Sequence, residues 1–147
     1  MIKKIFFLAT FYTLTILLCS FVKPKEVIKE SAKTGIVFFN GTWKEVLQKA
    51  KAENKIIFLD IYATWCGPCK KLKNKTFSNT KVGAYFNEHF INVSIDGEIG
   101  EGITLAEKYK LTAYPTLFFI DGDANIKKGA VGYYNPAQIL RLAKSLN

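Results

Sequence analysis

Cys66, Gly67, Pro68 and Cys69 follow closely on the apolar run Ile56-Ile57-Phe58-Leu59-Asp60-Ile61-Tyr62, with Trp65 immediately ahead of the first cysteine. The run is too uniformly apolar for a half-exposed strand, which places it in the middle of a sheet with both faces covered. A chain of this kind must carry two thiols from a buried strand to the first turn of a helix. At a helix N-terminus the unpaired N–H groups and the macrodipole favour negative charge on Cys66. The thiol pKa falls there, and the thiolate is the species that attacks disulfides. Cys69, one turn on, lies on the same side and can close a Cys66–Cys69 disulfide.

The chain has 147 residues, enough for one domain whose core needs no metal or disulfide staple. Lys3 and Lys4 precede an uncharged run from Ile5 to Val22, closed by Lys23-Pro24-Lys25. A basic start followed by an apolar stretch reads as an export leader. Residues 1–22 are expected to be a signal peptide or an N-terminal membrane anchor. Lipidation at Cys19 is a third reading, against which Leu18 stands where a small residue is wanted. All three readings take the folded part out of the cytoplasm. Residues 23–35 are polar and read as a linker, leaving 36–147 as the folded domain.

Of three cysteines one lies in the leader, so Cys66 and Cys69 are alone in the domain. A small exported protein held together by disulfides carries more, so the pair is expected to be catalytic. The net charge is +9, or +7 once Lys3 and Lys4 go with residues 1–22. The lysines are scattered and no arginine cluster appears, which argues against a nucleic-acid partner. Lys70, Lys71, Lys73 and Lys75 form the one local cluster. They read either as a solvated helix face or as charges that support the Cys66 thiolate and attract acidic partners. His89 is the only histidine; with two usable cysteines it cannot complete a four-ligand zinc site. No metal and no cofactor beyond the redox-active cysteines is expected.

Along the chain, Ile36–Phe39 reads as an edge strand. Thr42 and Glu45 form a capping box for a helix over 43–53. The helix after Cys66 runs towards Lys75 and is interrupted at Thr76-Phe77-Ser78-Asn79; a short helix follows over 81–87. Phe90–Ile95 alternates as a strand, and Leu105–Tyr109 belongs to a helix. Thr116–Ile120 and Ile126–Val131 form a hairpin around Asp121-Gly122-Asp123. Pro136 opens a last helix with Asn135 as its cap. The pattern predicts an α/β fold, a mixed sheet between layers of helices.

The segment Phe58-Leu59-Asp60-Ile61-Tyr62-Ala63-Thr64-Trp65-Cys66-Gly67-Pro68-Cys69-Lys70 resembles the active-site segment of the thioredoxin superfamily. Tyr114-Pro115-Thr116-Leu117-Phe118-Phe119 is similar to that family's cis-proline and following strand, and Gly132 matches the glycine after its last strand. Lys75–Val82 together with Phe90–Val93 resembles the C-terminal domain of DsbD-type transmembrane thiol reductases. Only that soluble domain matches, so an upstream thiol reductant must be a separate partner.

The resemblance implies a thioredoxin fold and thiol–disulfide exchange, with Cys66 attacking and Cys69 resolving. It implies that Asp60 is a general acid/base for Cys69. An ionised carboxylate is costly in so apolar a strand, and burial raises its pKa. It also implies a substrate surface of Trp65, Gly67, Pro68, Tyr114, Pro115 and Thr116. Pro115 should be cis, and the backbone of Tyr114 should pair with an extended substrate. Gly67-Pro68 is the pair of reducing members, so the expected activity is reduction of protein disulfides in a bacterial periplasm, by a monomeric domain. An oxidase or isomerase would use the same cysteines, and a redox-inert binding module would use only the groove. Two departures stand out. Asn74 replaces the helix-kinking proline of thioredoxins, and Asn92 is aligned with their lysine near the buried Asp.

Overall fold

A computed structural model describes residues 35–146. The expected leader, Cys19 and the linker up to residue 34 lie outside the described residues. Helix α1 (Trp43–Glu53) starts at the expected capping box: Thr42 accepts from the Glu45 amide, and the Glu45 side chain accepts from the Thr42 amide. Asn54 closes it in the left-handed conformation, φ 50°. Strand β1 (Ile56–Tyr62) leads to α2 (Gly67–Lys71), which runs straight into a π-helical stretch, Leu72–Phe77. Helix α3 (Thr80–His89) begins at Asn79, whose side chain accepts from the amides of Lys81 and Val82. Then come β2 (Phe90–Asp96), α4 (Glu101–Lys108), β3 (Thr116–Ile120), β4 (Ile126–Val131) and α5 (Pro136–Lys144), the last capped by Asn135 as expected.

The four strands form one sheet in the order β2-β1-β3-β4. β1 is parallel to β2 and antiparallel to β3, and β3 and β4 form the predicted hairpin. Alternation along β1 builds two cores. Ile57, Leu59 and Ile61 face Val46, Ala50 and Leu105, beneath α1 and α4. Phe58 faces Leu72, Val82, Phe86 and Ile139, beneath the π stretch, α3 and α5. The result is the expected three-layer arrangement with β1 interior. Asp60 shares the parity of Phe58, and so points to the layer that carries the dithiol helix.

Two local expectations change. Ile36–Phe39 is extended but is not a strand of the sheet. Its amides go to several elements: Ile36 N to the Phe77 carbonyl at 2.7 Å, Val37 N to Asn87 Oδ1 at 2.8 Å, and Phe39 N to the Asn92 carbonyl at 2.8 Å. A ladder needs successive backbone bonds to one neighbour, and among the described residues this segment makes one backbone bond to β2, Phe39 N to the Asn92 carbonyl. The second change is in the dithiol helix, which continues through Phe77 as the π stretch. Thr76 is fully buried and donates to the Tyr134 carbonyl at 2.7 Å, so the interior holds it. Asn74 lies within this stretch, where thioredoxins place their kinking proline; a π turn is another way to disturb a helix.

Candidate active site

The dithiol sits where β1 ends and α2 begins. Cys66 is the N-cap of α2 and Pro68 occupies the first turn, where a missing N–H costs nothing. The two sulfurs are joined, with S–S 2.06 Å and Cα–Cα 5.3 Å. The Cys69 amide donates to Cys66 Sγ at 3.1 Å. That bond is the local form of the N-terminal stabilisation expected for a thiolate. Both cysteines are buried, at 3% and 7% exposure, against Ala63, with Tyr62 and Tyr114 packed over them. Gly67 and Pro68 are exposed beside them.

Asp60 is 4% exposed and lies opposite Ser94 in the β1–β2 register. Ser94 Oγ donates to Asp60 Oδ2 at 2.7 Å, while Oδ1 has no partner among the described residues. Burial pushes the carboxyl up to about 7; the Ser94 hydrogen bond and the Lys73 charge pull the other way. A buried acid poised near neutrality can both take and return a proton. Asp60 and Cys69 share a cleft of about 410 Å³, with Lys70 and Lys73 on one side and Phe38, Tyr62 and Phe77 among its walls.

Asn92, the residue aligned with the lysine of thioredoxins, is not the neighbour of Asp60. It lies two positions earlier, opposite Phe58. Its side-chain amide donates instead to the Val37 and Phe86 carbonyls and to Asn87 Oδ1. The cation near Asp60 comes from Lys73, four residues after Cys69 on the dithiol helix. Of the lysine cluster, Lys70 and Lys73 line the cleft, and Lys71 lies over the Tyr133 ring at 4.3 Å.

The opposite rim is aromatic and acidic. Trp65 is 67% exposed, which rules out core filling, and its ring meets Tyr114 edge-on at 6.0 Å. The indole N–H donates to both carboxylate oxygens of Glu98, at 3.1 and 3.0 Å. Burial raises the Tyr114 pKa, helped by the charges of Glu98 and Asp96. The Tyr114–Pro115 bond is cis, and Pro115 is buried at the entry to β3. The Pro115 carbonyl accepts from Gly132 N at 2.8 Å, and Gly132 has φ +93°. Thr116 is buried and donates to the Ala113 carbonyl at 2.7 Å. A groove of about 630 Å³ runs from Trp65 and Tyr114 past Glu107 and Lys110.

The fold thus brings Cys66, Cys69, Asp60, Trp65 and Tyr114 to one end of the sheet. Lys73, from the lysine cluster already noted, joins them, as do Ser94, Glu98 and Phe38, which were not singled out from sequence. Lys73 carries a readable signal, one turn beyond Cys69 on a helix; Ser94 does not stand out, since Asn92 and Asp96 are polar on the same alternating strand. His89 is remote, stacked on Tyr85 at 4.1 Å. Among the described residues no group of three or more His, Cys, Asp or Glu side chains comes together.

Comparison with known proteins agrees with this geometry. A family model described as a thioredoxin-like domain matches residues 43–147. The DsbD thiol:disulfide interchange protein of Yersinia pestis is 33% identical over 95 residues, 63% of this chain and 16% of that protein. The chain therefore spans about a sixth of the length of those relatives. Thioredoxin of Echinococcus granulosus is 37% identical over 101 residues, covering 69% of this chain and 87% of it. Among solved structures, a candidate disulphide-isomerase from Bacteroides thetaiotaomicron superposes with a TM-score of 0.69. It is 40% identical, over 77% of this chain and 93% of its own. The oxidised C-terminal domain of Neisseria meningitidis DsbD superposes at 0.62 with 22% identity, over 76% of this chain and all of that domain, a likeness of fold.

Proposed function

Since the chain belongs to the thioredoxin-like domain family, we propose that it is an exported thiol:disulfide oxidoreductase that reduces disulfides of envelope proteins. One observation carries this reading: Cys69, bonded to Cys66, shares a cleft with a buried carboxyl, Asp60, held near neutrality. In the reduced protein the Cys66 thiolate attacks one sulfur of a substrate disulfide. A mixed disulfide forms and the first substrate sulfur leaves as a thiolate. Asp60 accepts the Cys69 proton, and the Cys69 thiolate attacks Cys66 Sγ. The second substrate sulfur leaves, and the protein is left with its Cys66–Cys69 disulfide. Two electrons have passed to the substrate; an upstream dithiol must restore them. The Asp60 proton returns when Cys69 is next reduced.

Trp65, Gly67, Pro68, Tyr114, Pro115 and Thr116 form the substrate surface in this reading, with the Tyr114 backbone adding a substrate strand. The basic, apolar leader supports export to a periplasm, and Gly67-Pro68 between the cysteines supports the reducing direction. The relative described as a candidate disulphide-isomerase favours a second reading, in which the same dithiol works at a higher potential.

Equilibration with glutathione decides between them. A Cys66–Cys69 potential at or below about −230 mV, in the glutaredoxin-to-thioredoxin range, is expected for the reductase. A value near about −120 mV, that of a strong oxidant, overturns it. Cys69→Ser should accumulate mixed disulfides with partner proteins in cells, and Cys66→Ser should not.

A further inference from the structure

The segment just ahead of α1 is held to the domain in a way that the exchange chemistry leaves unused. Gly35 sits at φ +92°, and it lies so close to α3 that a Cβ on Gly83 would meet its carbonyl carbon and oxygen at 2.2 Å. Ile36 N and Phe39 N are tied to the Phe77 and Asn92 carbonyls. Asn87 binds on both sides of Ile36: Oδ1 accepts from Val37 N at 2.8 Å, and Nδ2 donates to the Gly35 carbonyl at 3.1 Å. Buried Asn92 adds a donation to the Val37 carbonyl at 3.4 Å. These bonds bracket Phe38. Its ring meets Phe77 edge-on at 5.6 Å and stands as a wall of the cleft that holds Asp60 and Cys69.

We propose that Phe38, fixed by Asn87 and Asn92, is a positioning residue for Asp60, walling the carboxyl off from water on the side away from the substrate rim. Phe38 touches neither reacting sulfur and acts through Asp60. The charged and titratable groups that face this carboxyl are Lys73 and Lys70 from the dithiol helix, Cys69 beside them, and Tyr62 farther along β1. Ser94 and then Asp96 follow on β2. Lys73 and Ser94 favour the ionised carboxylate, so an apolar wall is what holds the proton on at neutral pH. An alanine at position 38 opens that wall, lets water reach Oδ1 and makes ionisation easier.

The oxidised protein isolates this effect, because its two sulfurs are bonded and do not titrate. The test follows the side-chain carboxyl of Asp60 by carbon NMR across pH in the oxidised full chain. Phe38→Ala is expected to lower the Asp60 midpoint by on the order of one unit. Phe38→Leu, apolar and nearly as large, should restore it. Asn87→Ala keeps the ring but removes its clamp, and should move the midpoint in the same direction. It also carries the test if Phe38→Ala does not fold. A midpoint unmoved in the folded variants overturns the proposal. The inference rests on Asp60 serving as the proton acceptor, which Asp60→Asn tests separately. If that variant resolves mixed disulfides at the wild-type rate, the proposed role of Asp60 falls while the titration still reports on Phe38.

Discussion

Ser94 and Asp60 face each other across β2 and β1, and the Ser94 hydrogen bond leaves the second carboxylate oxygen of Asp60 buried with no partner among the described residues. The asymmetry makes ionisation of Asp60 a stability problem. Its carboxyl titrates near 7 in the fold, against an ordinary value of 3.8. Well below the ordinary value of 3.8, both folded and unfolded chains hold the proton and the group is neutral to stability. As pH rises, the unfolded chain releases its proton first, so folding loses stability until the folded group also ionises. The loss reaches about 4 kcal/mol by pH 8. Asp60→Asn should flatten this dependence. Denaturant titrations at pH 4 and pH 8 check it; parallel losses in both proteins would mean that Asp60 does not titrate as described.

Lys73 should act on Asp60 in the sense opposite to Phe38. Its positive charge favours the carboxylate, so Lys73→Met is expected to raise the Asp60 midpoint by on the order of half a unit. Lys70→Met, on the same cleft, should move it less. Carboxyl titration of the two oxidised variants checks the ranking.

Trp65 belongs to the surface, so its removal should affect recognition and spare the fold. With the indole 67% exposed, Trp65→Ala is expected to change stability by no more than about 0.5 kcal/mol. KM for a protein disulfide should rise severalfold. Glu98→Gln, which weakens the hold on the indole, should give a smaller rise in the same direction. Steady-state turnover beside denaturant unfolding separates the two effects.

Gly83 tests the docking of the segment ahead of α1. An alanine methyl there would meet the Gly35 backbone at 2.2 Å, and backbone cannot swing aside as a side chain can. Gly83→Ala should cost on the order of 1–3 kcal/mol, within the range for overpacking. Thermal unfolding measures it, and an unchanged midpoint would mean that the segment sits elsewhere.

Most of the elements were legible in the sequence because their signals are local. Thr42 with Glu45 and Asn135 with Pro136 mark helix starts through bonds made within one turn. The uniform run of β1 gave its central place, since only a strand covered on both faces is apolar throughout. Ile36–Phe39 misled for the same reason. An apolar run reads as a strand, yet whether it joins a ladder depends on what its amides meet. Here they meet three different elements, a helix-terminal carbonyl, an asparagine from α3 and one carbonyl of β2. The neighbour of Asp60 was misplaced by one pleat, because alignment put Asn92 where the β1–β2 register puts Ser94.

The chain order alone determined the dithiol, its delivery from a buried strand to a helix start, and an acid six residues upstream in that strand. These follow from spacing, and spacing along one strand and one helix is fixed by backbone geometry. Tertiary structure decided the surroundings of that acid: a serine from β2, a lysine from the next helical turn and a phenylalanine from a segment ahead of α1. Solvation and charge depend on distances between parts of the chain far apart in sequence. From the sequence, burial is expected to raise the Asp60 pKa; the Ser94 bond and the Lys73 charge that oppose that rise became visible only once those parts were packed together.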